Sequence, residues 1–328
     1  MIELTDEQRD RAIGAILGGA LGDALGAPYE FSTSSPGVTL RGSAEDLTGG
    51  GTYGWGPGEW TDDTSMAIPV LEALSTGHDL THDANLTRIG VVWSAWAKDA
   101  TDVGIQTRRV LGEATTSSAA DLRASAATVH HETGRSGGNG SLMRTAPVAL
   151  AYLNHPDGAA LTAAAARSVS DLTHFDSDAG DACVVWSVAL RSAILDGAVD
   201  WNAALDQLPE DRRPRWHALL REAGSAQPQE FPNNGWVIHA FQESVAALAS
   251  AGPTRSSWRR GDPAPYVATV EDIINAAGDT DTVAAIAGSV AGALVGADAL
   301  PWAWLDLLHG WPGLEARDLA GLADATLG

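Results

Sequence analysis

The sequence predicts an all-α protein, one domain spanning residues 1–328. Three observations lead there. Apolar residues recur at three- and four-residue intervals in window after window, the period of a helix with one buried face. Strand-like alternation is scarce, which argues against a βαβ architecture. Glycines return every fourth residue at Gly14, Gly18, Gly22 and Gly26, and again at Gly288, Gly292 and Gly296. Each helical glycine costs about 1 kcal/mol relative to alanine. Such ridges therefore point to backbones in very close approach, with the two ends of the chain side by side in the core.

Taken in order, Thr5 to Gln8 reads as a capping box opening a helix that runs towards Leu25. Helical spacing then covers roughly 62–76, 84–98, 104–114, 142–153, 157–169, 178–196, 236–250, 266–277, 281–297 and 315–326. Gly- and Pro-rich loops fall at about 32–60, 132–140, 225–235 and 252–265. The 328 residues suffice for a large core.

Composition narrows the partners. Forty-two Asp and Glu stand against 20 Lys and Arg, a net charge of −22, and Lys98 is the one lysine. So acidic a surface repels phosphate backbones and anionic membranes, so nucleic acid is not an expected partner. The single cysteine, Cys183, excludes an internal disulfide and fits a reducing compartment. The start "MIELTDEQRDR" has no basic segment before an apolar core, and the longest apolar run, Val283 to Ala297, is too short to span a bilayer. A cytoplasmic, membrane-free monomer is expected.

Two acidic clusters stand out. "WTDDTSMA" places Thr61, Asp62 and Asp63 before an apolar helix, and "AGDTDTVAAIAG" does the same with Asp279, Asp281 and Thr282. Each alone reads as a capped helix start, with acids favoured by the helix dipole. No Lys or Arg stands beside either pair. Brought together, four carboxylates repel unless cations sit among them. Thr61, Asp62, Asp63, Asp279, Asp281 and Thr282 form an all-oxygen donor set that suits two hard divalent cations, Mg²⁺ or Mn²⁺, rather than structural zinc. A rival reading takes "DTDT" as the aspartate pair of a haloacid-dehalogenase-type phosphatase, which would need a preceding β-strand. The run "SGGNGSLMR", from Ser136 to Arg144, is a Gly-rich turn before a helical pattern. It serves either as a plain loop capped by Ser141 or as a set of free amides able to hold a pyrophosphate without fixed positive charge.

Five segments in order, "GGALGDALGAPYEF" (18–31), "WTDDTSMA" (60–67), "GGNGSLMRTAPVAL" (137–150), "THFDSDAGDA" (173–182) and "AGDTDTVAAIAG" (277–288), resemble the ADP-ribosylglycohydrolases. The similarity spans nearly the whole chain. It implies an orthogonal multi-helix bundle with a binuclear Mg²⁺ or Mn²⁺ site at the base of an ADP-ribose cleft. Thr61, Asp62, Asp63, Asp279, Asp281 and Thr282 match the metal ligands. Glu30 matches a glutamate at the metal site, and Asp102 an acid proposed as a base. Ser136, Gly138, Asn139, Gly140 and Ser141 are then implied as substrate contacts. His174 matches a histidine near the ribose or phosphates. Trp236 stands where the family more often has tyrosine and is likewise implied as a substrate contact, its ring stacking on adenine or lining the cleft; Gly104 is followed by Ile105 and Gln106 where some relatives carry an asparagine. The implied reaction is release of ADP-ribose from an acceptor, arginine on protein first. ADP-ribosyl-serine, O-acetyl-ADP-ribose and a non-catalytic ADP-ribose reader are the alternatives.

Overall fold

The fold grows outward from one helix pair. In a computed structural model that describes residues 3–252 and 254–328, α1 (Asp6–Gly26) lies along a late helix, Thr280–Val295, every residue of which is buried. A Cβ built on Gly14, Gly18, Gly22 or Gly26 would come within 3.0 Å of backbone atoms of that helix, and Gly288 and Gly292 return the contact. Tyr266 anchors the seam, its buried hydroxyl donating to the Gly18 carbonyl at 2.7 Å. The predicted ridge thus brings the two ends of the chain together. Gly296 is the exception within it: with φ of 86° it ends the late helix rather than continuing it.

The described helices after α1 are α2 (Asp62–Ser75), α3 (Asp83–Trp96), α4 (Ile105–Glu113), α5 (Ala119–Thr133), α6 (Gly158–Ser170) and α7 (Ser177–Asp196). They continue as α8 (Trp201–Leu205), α9 (Arg213–Ala223), α10 (Val237–Ala251), α11 (Ala264–Ala276), the late helix α12, α13 (Trp302–Leu305) and α14 (Ala316–Ala325). The described β-structure is one hairpin of two-residue strands, β1 (His309–Gly310) and β2 (Leu314–Glu315), with a few isolated bridges. The protein is all-α. The capping box is present: the Thr5 hydroxyl accepts from Gln8 N–H at 3.2 Å and Gln8 Oε1 accepts from Thr5 N–H at 3.0 Å. On the far side, Trp186 and Trp216 pack edge-on against Phe241, with centroids 5.6 Å and 5.1 Å away.

One expected helix needs correction, and two of the longer helices lie where the periodicity assigned none. The helix expected over 142–153 is a succession of 3-10 turns, Asn139–Ser141 and Ala146–Leu150, since Pro147 has no N–H to donate and restricts the residue before it. Helix α5 escaped notice because its "AADLRASAATVHHET" is rich in small and polar residues, with five of fifteen buried. Helix α9 escaped because only Trp216 and Ala223 are buried along it. Pro253, within the predicted loop 252–265, lies outside the described residues, as do Met1 and Ile2.

Candidate functional site

The helix pair that organises the core also builds the site. A Cβ at Gly26, where α1 ends, would collide with Asp281 Cα and the Thr280 carbonyl, and the Thr280 hydroxyl donates to the Gly26 carbonyl at 2.9 Å. The first turn of α12 is therefore seated on the last turn of α1. Helix α2 is tied to the same place by Asp23. That fully buried carboxylate on α1 accepts from Thr61 N–H at 2.9 Å, Thr64 N–H at 3.0 Å and the Thr64 hydroxyl at 2.6 Å. A side chain from a neighbouring helix thus satisfies amides that α2 would otherwise leave open.

This convergence gathers the carboxylates. One oxygen each from Asp23, Asp63 and Asp281 lies within 4.8 Å of the others, as does one each from Glu30, Asp279 and Asp281. The two triads share Asp281. Thr61 and Thr282 both aim their hydroxyls at Asp63 Oδ2, at 3.0 and 3.3 Å. Asp62 joins neither triad: its Oδ2 accepts from Gly104 N–H at 3.1 Å, towards Asp102. The "DTDT" run opens a helix and follows helix α11, so the strand that the phosphatase reading requires is not there.

None of these carboxylates has a Lys or Arg ion-pair partner among the described residues. Glu30 Oε2, Asp63 Oδ1 and Asp281 Oδ1 are buried with no hydrogen-bond partner among the described residues. Burial leads the causes that push Glu30 up to about 9, followed by Asp279, Asp102 and Asp62. Burial and then Asp102 push Asp62 up to about 8, and burial alone raises Asp23 to about 6 against its hydrogen bonds. Asp63 and Asp281 are raised well above the carboxylate range by the same causes. Orphaned, desolvated oxygens with no cationic side chain are what a hard divalent cation would satisfy. The donor set fits Mg²⁺ or Mn²⁺.

Above this floor opens a cleft of about 320 Å³, walled by Glu30, Asp102, Gly138, Asn139, Gly140 and His174 and lipped by Tyr53 and Phe31. Two loops hold the walls together. Phe31 N–H donates to the Gly278 carbonyl at 2.7 Å and Gly278 N–H to the Ser32 carbonyl at 2.9 Å. Phe31 and Ala277 take positive φ of 62° and 71° to make this clasp, backbone strain of the kind found at functional sites. On the other side Asn139 N–H donates to the Gly235 carbonyl at 3.2 Å and Val237 N–H to the Gly137 carbonyl at 2.9 Å.

Three predicted contacts stand elsewhere. Ser141 is fully buried, its hydroxyl turned to Ser170 and Cys183. Ser136 is buried against His130 Nδ1 at 2.5 Å. Trp236 packs on His239, outside the cleft lining. In return the structure shows residues that sequence reasoning missed. Asp23 is one, and its signal was available: a lone acid on the glycine face of an apolar helix. Asn234 is another, with no such signal. Its Oδ1 accepts from Asp279 N–H at 3.0 Å, while its Nδ2 donates to the Ala277 carbonyl at 3.0 Å and Glu243 Oε2 at 2.9 Å.

The profile of the ADP-ribosylglycohydrolase family matches residues 4–328. An ADP-ribosylarginine hydrolase of Pseudomonas putida is 30% identical, over 92% of this chain and 76% of that protein. The ADP-ribosyl-[dinitrogen reductase] glycohydrolase of Rhodospirillum rubrum is 29% identical, over 91% of this chain and 90% of its own length. Among solved structures, an ADP-ribosylglycohydrolase-related protein complex superposes with a TM-score of 0.69 at 29% identity, covering 98% of this chain and 99% of that one.

Proposed function

This chain belongs to the ADP-ribosylglycohydrolase family of glycohydrolases, and from that premise we propose that it releases ADP-ribose from arginine side chains in a divalent-cation-dependent hydrolysis. The observation that carries the reading is the pair of carboxylate triads sharing Asp281, with orphaned buried oxygens, at the floor of a cleft walled by a glycine turn. Asp63, Asp279 and Asp281 of the triads, with Asp62, Thr61 and Thr282 beside them, would hold the ions. Two Mg²⁺ or Mn²⁺ bound there would order the ribose hydroxyls and make water more acidic.

The chain's own residues do the rest. The Gly138–Gly140 turn lets a diphosphate approach backbone closely, so that an acidic protein binds an anion without fixed positive charge. The C1″–N bond of the ADP-ribosylated guanidine breaks through an oxocarbenium-like state. Water oxygen bonds to C1″, one proton leaves that water for Glu30 or Asp102, and the departing guanidine nitrogen takes a proton. Arginine is favoured as acceptor by the lining itself. Glu30, Asp62, Asp102, Asp279 and Asp281 line the cleft with no Lys or Arg among its described lining residues, so no fixed positive charge repels a guanidinium. The arginine named in the P. putida relative's activity supports the same choice.

The test incubates the protein with Mg²⁺ or Mn²⁺ and, separately, an ADP-ribosyl-arginine peptide, an ADP-ribosyl-serine peptide and O-acetyl-ADP-ribose. Cation-dependent release from the arginine substrate, lost in Asp279→Ala, is expected. Release confined to another substrate overturns the acceptor, and binding without release from any of them leaves a reader.

A further inference from the structure

Arg144 is fully buried, yet no carboxylate among the described residues pairs with it. Its guanidinium lies over the Trp93 ring, 4.1 Å from the centroid, and its Nη2 donates to the Thr173 hydroxyl at 2.7 Å. The same hydroxyl lies 2.7 Å from His174 Nδ1 and has no further hydrogen-bond partner among the described residues. A guanidinium can only donate. Thr173 Oγ1 must therefore accept from Arg144; if its second lone pair accepted from Nδ1–H as well, its one proton would be buried without a partner, so that proton goes to His174 Nδ1.

We propose that Arg144 and Thr173 are positioning residues that lock His174 in the tautomer carrying its proton on Nε2, so that the cleft wall presents a neutral N–H donor beside the glycine turn. The opposite edge of the ring has the room this needs. A Cβ on Gly138 or on Gly140 would stand 3.4 Å from Nε2, and nothing accepts from that nitrogen among the described residues. Burial, then the Arg144 charge, holds the imidazole well below its usual range, so the ring stays neutral near pH 7. Gln106 adds a second tie, its Nε2 donating to the Thr173 carbonyl at 3.0 Å. A neutral Nε2–H suits an acceptor oxygen without exchanging protons with it. It would select an oxygen-rich anion such as a phosphoryl group over a donor such as an amine. Only this last step rests on the ADP-ribose reading; the tautomer rests on the Arg144–Thr173–His174 geometry alone.

The experiment is a long-range ¹H–¹⁵N spectrum of the full chain labelled with ¹⁵N-histidine near pH 7, with His174 assigned by its loss in His174→Gln. Nε2 should give the protonated, pyrrole-type signal and Nδ1 the pyridine-type one. A protonated Nδ1, or a doubly protonated ring, overturns the proposal. In Thr173→Val the pattern should collapse into a tautomer mixture, with ADP-ribose affinity down roughly 3–10-fold, and Thr173→Ser should restore both. An unchanged spectrum in folded Thr173→Val also overturns it. The wild-type spectrum decides the tautomer even where a variant does not fold. The expected tautomer in a protein whose His174 signals ignore ADP-ribose would uphold the lock and count instead against the ligand reading.

Discussion

Asn139 Nδ2 donates to Asp279 Oδ2 at 2.7 Å, joining the glycine turn of the cleft wall to the carboxylate floor. The same amide nitrogen also donates to the Asn234 carbonyl at 2.9 Å, so Asn139 is held from both sides. If Asp279 holds a cation, Asn139 orients it from behind. Asn139→Ala should then weaken Mg²⁺ binding or turnover by roughly 10–100-fold, as losses behind a metal ligand commonly do. Titration of Mn²⁺ by its electron-spin signal, read alongside the release assay, checks it; unchanged affinity and unchanged rate would remove Asn139 from the site.

Glu30 carries a proton near neutral pH in the cation-free protein, since burial and the neighbouring acids push it up to about 9. As a proton carrier in the reaction it should be worth about 10²–10⁴-fold. Glu30→Gln keeps the shape and loses the exchange. Its kcat should fall by that factor while free ADP-ribose still binds; equal falls in binding and rate would reassign Glu30 to positioning.

Stability of the cation-free protein should fall as pH rises. Asp23, Asp62 and Glu30 titrate near about 6, 8 and 9 in the fold, against ordinary values of 3.8, 3.8 and 4.5. Between those limits the folded state binds more protons than the unfolded chain, so each proton lost on raising pH favours unfolding. The contribution is complete below about pH 4 and gone above about pH 9. Thermal unfolding across that range should show a declining Tm, with a shallower slope in Asp62→Asn. Saturating Mg²⁺ should flatten the decline, because a cation replaces the protons.

The seam between α1 and α12 makes a paired prediction. Gly18→Ala would drive a methyl group into the Gly288 carbonyl and Gly292 Cα. Overpacking of this kind costs about 1–3 kcal/mol or more. Gly112→Ala, near the end of α4 with nothing within 4 Å, should instead gain up to about 1 kcal/mol from helix propensity. Chemical denaturation of both variants settles the contrast, and equal effects would contradict the close approach.

Much of this protein was legible in the chain. The glycine period showed which two helices touch, because only a missing side chain permits such contact, and uncompensated acids at 62–63 and 279–281 marked the floor of the site. The missed helices show where legibility stops: α5 and α9 bury too few apolar residues for their period to stand above the background. Pro147 shows a local rule outweighing a periodic pattern over 142–153.

The sequence by itself determined the all-α class, the α1–α12 seam and the acidic composition of the site, since periodicity, missing side chains and unpaired charge are local properties. Only the tertiary structure decided that Asp23 caps α2 from another helix, that Asn234 orients the Asp279 loop, and that Ser136 meets His130, Ser141 meets Ser170 and Trp236 packs on His239. Hydrogen bonds between residues 38, 45 or 140 positions apart depend on where packing sets two backbones, and no local pattern records that.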